Sequence, residues 1–271
     1  MYFKSLVRLS SKHLLTLVIP LLAACGQNSN HSLKVISGDP IDRSYSDTIM
    51  AISYDDGVAI HTLCSATVVS ATQLVTAAHC FHGSQSNADT RYFLRHHNLP
   101  IAGIGFTQED VQLPTAWHET VENQTSDGLR LPFFSQNKIG DIALITLNET
   151  LPDHFTALPQ LDSQAAVTEW QGAGYGWRLE PNAEGHGKPS SEALAIPLQS
   201  YQSLQGGEHE VVMQPISHSQ GLCDADSGGP LLAKTDAGWR LAGVLSRTRK
   251  AATCAGQQAI YTYLSAYQEL L

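Results

Sequence analysis

The sequence predicts an all-β chain, and three groups of residues carry that expectation. Two β-branched runs, residues 67–69 and 74–76, flank turn-like polar residues and read as a hairpin. A continuous apolar strand, residues 142–147, follows directly on Asp141. Residues 194–198 and 211–213 read as further short strands. The 271 residues allow one large β domain or two modest ones.

The formal charge is −9. Residues 1–24 hold Lys4, Arg8 and Lys12 and no acid, so the remainder is more acidic still. An acidic body argues against a non-specific nucleic-acid binder, and no nucleic-acid partner is expected.

Taken in order, the chain opens on a basic, mixed stretch and then an apolar run at residues 14–24. About eleven residues cannot span a bilayer as a helix, which needs about twenty. Residues 1–24 therefore read as a signal peptide. Its end, Leu22-Ala23-Ala24-Cys25, resembles the lipobox of bacterial lipoproteins. The resemblance implies that Cys25 carries a lipid as the first mature residue, and Gly26 after it implies the outer membrane. Residues 25–34 are polar and lack periodicity, as in a tether.

The stretch from Cys64 to Cys80 includes Thr76-Ala77-Ala78-His79-Cys80. Asp141 precedes Ile142-Ala143-Leu144, where a buried carboxylate needs hydrogen-bond partners such as a histidine ring N–H. Cys223-Asp224-Ala225-Asp226-Ser227-Gly228-Gly229-Pro230 places a serine between an aspartate and two glycines, which lets backbone N–H groups approach a substrate. With these three motifs, in this order, the chain resembles the chymotrypsin/trypsin-like serine peptidases over about residues 35–271.

That resemblance implies two Greek-key six-stranded β-barrels, at about 35–150 and 160–262. The apolar residues among 263–271 suit a C-terminal amphipathic helix. The resemblance implies a catalytic triad of Ser227 as nucleophile, His79 as base and Asp141 as its orienting acid. It assigns the oxyanion hole to the N–H groups of Ala225 and Ser227. It pairs Cys64 with Cys80 and Cys223 with Cys254, leaving Cys25 for lipid. Cleavage after Lys34 would free the amine of Val35 to meet Asp226 and order the pocket. The pocket residues are Gly221, Leu222, Ser246, Arg247, Thr248 and Ala259. Gln171-Gly-Ala-Gly-Tyr-Gly-Trp177 loosely matches the family's Gly-Trp-Gly strand end, with Tyr175 for tryptophan.

Two departures stand out. Ala225 replaces the family's glycine; a positive φ there costs strain, and a flipped peptide loses an oxyanion donor. Gly221 stands where trypsin relatives carry an aspartate, which implies a preference for small or medium apolar residues. Arg247, Arg249 and Lys250 support a rival preference for acidic substrates. The expected partners are a protein or peptide substrate, an activating protease and a lipid anchor at Cys25. The alternative is a catalytically weak relative acting as a binding module. His61, His82, His96, His97, His118 and His154 show no metal-ligand spacing, so no metal or cofactor is expected.

Overall fold

Fourteen strands run through the described residues of this computed structural model, which are 38–82, 90–97, 99–115, 117, 140–177, 190–201, 209–248 and 254–271. Ser32–Leu271 form one unit; Met1–His31 form another, in which no residue is described. The proposed signal peptide, Cys25, the tether, Lys34 and Val35 all lie outside the described residues.

The strands are β1 (Asp39–Pro40), β2 (Ile49–Asp55), β3 (Ile60–Ser70), β4 (Gln73–Thr76), β5 (Tyr92–His96), β6 (Leu99–Phe106), β7 (Val111–Gln112) and β8 (Ala143–Thr146). There follow β9 (Glu169–Gly174), β10 (Leu194–Ser200), β11 (Glu210–Pro215), β12 (Pro230–Thr235), β13 (Gly238–Thr248) and β14 (Ala259–Tyr263). The expected hairpin is β3–β4, with Thr67 opposite Val75.

The second sheet closes. Its order β10-β11-β14-β13-β12-β9 returns from β9 to β10, giving the expected six-stranded barrel. The first sheet differs from the expectation. It has seven strands in the order β6-β5-β2-β3-β4-β8-β7, and its ladder among the described residues ends at β6 and β7. The short β1 pairs with β10, so the earliest described strand belongs to the second sheet, outside the expected boundary.

Both faces of several strands are buried, which is why they read as unbroken apolar runs rather than as alternating ones. In β2, Met50 and Ile52 point into the first sheet's core, while Ile49 and Ala51 join a central layer. Leu74 and Val75 of β4 divide in the same way. Leu194 and Ile196 of β10 fill the closed barrel, and Ala195 faces the central layer. That layer takes residues from both sheets, including Val75, Leu144, Leu232 and Val244. The connecting segment is stitched to both as well. Leu158 N donates to the Val68 carbonyl and Leu161 N to the Leu241 carbonyl, both at 2.9 Å.

The C-terminal helix expected at 263–271 is a correction. Tyr263 ends β14, and only Leu264–Ala266 form a 3₁₀ turn. The buried residues Leu264, Tyr267 and Leu270 are three apart, the period of i→i+3 bonding rather than of an α-helix. The bonds follow: Tyr267 N donates to Leu264 O and Leu270 N to Tyr267 O.

Candidate active site

β4 and β8 deliver the histidine and the aspartate to one place. Thr76 pairs with Ala143, so His79, just past β4, and Asp141, just before β8, emerge at the same end of the ladder. A 3₁₀ turn, Ala78–Phe81, carries His79. The Cys64–Cys80 disulfide, with Cα atoms 6.3 Å apart, ties this turn to β3. Cys223–Cys254 is the second bridge, so both expected pairings are present.

Asp141 is 4% exposed and accepts three hydrogen bonds. His79 N donates to Oδ1 at 2.9 Å, His79 Nδ1 lies 2.8 Å from Oδ2, and Ser246 Oγ donates to Oδ2 at 2.5 Å. Burial pushes the carboxyl up, but the charge of His79 and the bonds from His79 and Ser246 outweigh it and hold the group below the usual carboxylate range. Asp141 is therefore ionised near neutrality and only accepts. Nδ1 of a neutral His79 must then carry the ring proton, which leaves Nε2 as the basic nitrogen.

The serine loop docks on the first sheet beside this pair. Ser65 N donates to the Ser227 carbonyl at 2.8 Å, and Gly228 N donates to the Leu245 carbonyl at 2.7 Å. A Cβ on Gly228 would lie 2.0 Å from Thr76 Oγ1 and 2.9 Å from Ala77 N. Ser227 and Gly228 thus sit against the residues that lead into His79, and Leu245 leads into Ser246. Ser65 was not legible in the sequence. Its hydroxyl accepts from Tyr175 N and donates to the Ala225 carbonyl, both at 2.9 Å. No motif or spacing signals that role, because its partners are 110 and 160 residues away.

Ala225 has φ 69°, so the chain keeps the left-handed conformation and carries its strain. That conformation costs a non-glycine residue ~1–2 kcal/mol. Ala225→Gly relieves it, offset in part by glycine's freer unfolded chain. The expected gain of about 1 kcal/mol appears as a rise of about 2–4 °C in melting temperature. An unchanged or lower melting temperature in calorimetry would count against strain at this residue.

Asp226 is fully buried and accepts from Gly176 N at 2.7 Å and Cys223 N at 2.8 Å. These close approaches explain the glycines of the loosely matched strand end. A Cβ on Gly174 or Gly176 would lie 2.3 or 2.2 Å from the Asp226 carboxyl, and one on Gly172 2.2 Å from the Tyr261 hydroxyl. Burial, working against the two backbone hydrogen bonds, raises the Asp226 pKa to about 7.

The pocket residues divide. A side chain on Gly221 would meet the Cys254 carbonyl oxygen at 2.1 Å, so this backbone approach leaves no room there for an aspartate. Leu222 and Ala259 pack in the barrel core, and Thr248 pairs with Ala259 in the ladder. Ser246 is 1% exposed and holds Asp141. Arg247 binds Glu210 through Nη1–Oε1 at 2.5 Å and Nη2–Oε2 at 2.9 Å. It is thus a paired cation, which weakens the case for acidic substrates; Arg249 and Lys250 lie outside the described residues.

Of the other histidines, His61 binds Asp56 at 2.7 Å. His96 Nε2 lies 3.5 Å from Asp47 Oδ1 and 3.3 Å from the Ser46 carbonyl. The fold thereby brings donor atoms of Asp47, His96 and His97 within 4.8 Å of one another, which sequence spacing did not show. A surface hollow of about 390 Å³ near Asp39, Glu169 and Lys234 contains none of His79, Asp141 and Ser227. Hydrogen-bond geometry, rather than cavity size, marks the site.

An all-β fold with one closed barrel, a second sheet and a buried aspartate paired with a histidine beside a Gly-flanked serine defines a trypsin-like serine protease fold. The chain belongs to the trypsin family, whose profile matches residues 35–271. It is 26% identical over 196 residues to a rat protein named transmembrane protease serine 7, covering 68% of this chain and 22% of that relative's length. A mutant of human heparin binding protein (CAP37) superposes with a TM-score of 0.62 at 18% identity, covering 86% of this chain and 92% of that one. Mouse neuropsin, a serine protease, superposes at 0.60 with 17% identity, covering 86% and 96%.

Proposed function

We propose that the protein is a serine endopeptidase that hydrolyses peptide bonds through an acyl-enzyme. The observation that carries the reading is the Asp141 carboxylate gripping both the backbone and the ring of His79. Ser227 Oγ attacks the substrate carbonyl while His79 Nε2 takes its proton. The amides of Ala225 and Ser227 stabilise the oxyanion. His79 then protonates the leaving amine, and water repeats the sequence to release the acid. A fluorophosphonate probe tests this. The expected adduct is on Ser227 of protein trimmed to begin at Val35, and a probe that leaves Ser227 unmodified overturns the reading in favour of a binding module.

Activation follows cleavage after Lys34, whose new Val35 ammonium meets Asp226. Cys25 carries a lipid at the bacterial outer membrane, so the same cut frees the body. Active protein that retains residues 25–34 would sink this linkage. The crowded Gly221 position favours small or medium apolar residues before the scissile bond. A non-tryptic pocket does not cut after lysine, so another protease performs the activation.

The Asp226 proton supplies a further prediction. Between about pH 4 and 7 the folded uncut chain holds a proton that the unfolded chain has released. This group's stabilisation is full below about pH 4 and is lost as pH rises through 7, an effect on the order of 4 kcal/mol at ~1.4 per pKa unit. Pairing with the Val35 ammonium keeps the carboxylate ionised and flattens that loss. Thermal unfolding of uncut and trimmed protein at pH 5 and 8 reads the difference; equal losses in both would remove the Asp226–amine pairing.

A further inference from the structure

We propose that Arg247 and Glu210 are positioning residues for the His79–Asp141 pair, acting through the Ser246 hydroxyl; the role rests on the hydrolase reading above. Arg247 Nη1 lies 3.1 Å from Ser246 Oγ. A guanidinium only donates, so this bond occupies a lone pair of Oγ. The single hydroxyl hydrogen is left for Asp141 Oδ2, 2.5 Å away. Arg247 thereby selects the rotor of Ser246 that donates to the carboxylate. With that bond in place, Oδ2 has two donors and Oδ1 one, all aimed from residues fixed in strands or turns.

Glu210 fixes the arginine in turn. The two-pronged contact sets the guanidinium plane, and the side chains are only 4% (Glu210) and 18% (Arg247) exposed, so water screens the pair little. Glu210 stands opposite Thr262 and Arg247 opposite Ile260, so the pair reaches across β14 from the strands that flank it. The ladder shifts register between Leu245 and Arg247, placing Ser246 at a bulge. Successive strand side chains otherwise point to opposite faces; the bulge lets Ser246 and Arg247 meet. Along the line the charges alternate: Glu210 negative, Arg247 positive, Asp141 negative, and His79 positive once it has taken the proton. These four charged groups come from β11, β13, the segment before β8 and the turn after β4.

Opposite substitutions therefore act with opposite sign. Glu210→Gln leaves the arginine cation uncompensated, which opposes a positive base and moves the acid limb of the kcat/KM pH profile to lower pH. Arg247→Met removes the cation from the line and moves that limb to higher pH. It also frees the Ser246 rotor, and kcat falls by about tenfold or more with little change in KM. The double variant Glu210→Gln/Arg247→Met carries neither charge. Its acid limb returns toward wild type while the kcat loss remains, and it keeps the test available if a buried unpaired charge unfolds a single variant. The measurements are kcat, KM and pH profiles on a peptide amide, with fluorophosphonate labelling rates alongside. Limbs that stay put or move in the same direction, or an unchanged kcat in folded Arg247→Met or the double variant, overturn the role. A wild type unlabelled at Ser227 overturns the hydrolase reading itself, and this role with it.

Discussion

Asp141→Asn is expected to lower kcat by about 10⁴-fold, the size of effect general to the serine-peptidase triad. The geometry supplies the reason. Oδ1 accepts from His79 N, so the amide oxygen of an asparagine is drawn to that side. Its NH₂ then stands where Oδ2 met His79 Nδ1 and Ser246 Oγ. An NH₂ only donates, so Nδ1 must become an acceptor. The ring proton moves to Nε2, the nitrogen that takes the proton of Ser227 in the proposed mechanism, and that base is blocked while the ring stays in place. Steady-state kinetics on a peptide amide reads this directly. A variant within about tenfold of wild type would mean that His79 is not oriented through Asp141.

Gly228→Ala carries the second large expected effect, a loss of more than about 4 kcal/mol of stability together with the Ser227 adduct. The residue has φ +79°, where a side chain is strained by ~1–2 kcal/mol. Its Cβ would also lie 2.0 Å from Thr76 Oγ1 and 2.4 Å from the Ser65 carbonyl oxygen. Those two atoms are hydrogen-bonded to each other at 2.7 Å, so neither moves without breaking that bond or shifting β3. Gly238→Ala is the control. Its φ is +96°, but the nearest atom to a Cβ is Arg240 Nη1 at 3.9 Å, so only conformational strain is expected. Urea unfolding of both variants separates the terms. Similar losses in the two would show that the junction between the serine loop and the β3–β4 hairpin is loose.

Local motifs were legible because their signals are local. The β3–β4 hairpin follows from β-branched runs around a turn, and both disulfides agree with the pairing that the family resemblance implies. The terminal helix was misread because a spacing of three and an amphipathic helical spacing share several apolar positions. Leu264, Tyr267 and Leu270 satisfy both, and packing against the central layer selects the tighter turn.

The role of Arg247 could not be read at all. From sequence it is one of three cations near a pocket rim. Its partner Glu210 lies two strands away, and the pairing of β11 and β13 on either side of β14 brings the carboxylate to it. The same holds for Ser65, which ties Tyr175 to Ala225 across the two sheets.

By itself the sequence determined the order of His79, Asp141 and Ser227 and the β-rich local structure, because each rests on neighbouring residues or on a motif; the cysteine pairing came from the family resemblance that those motifs carry. The tertiary structure decided which side chains complete the site. It set the strained φ of Ala225, buried Asp226 among glycines that admit its carboxyl, and turned Ser246 toward Asp141. Those outcomes depend on polar atoms meeting at 2.5 to 2.9 Å from segments far apart in the chain. No pattern of residue types specifies a contact of that kind until the sheets close and pack.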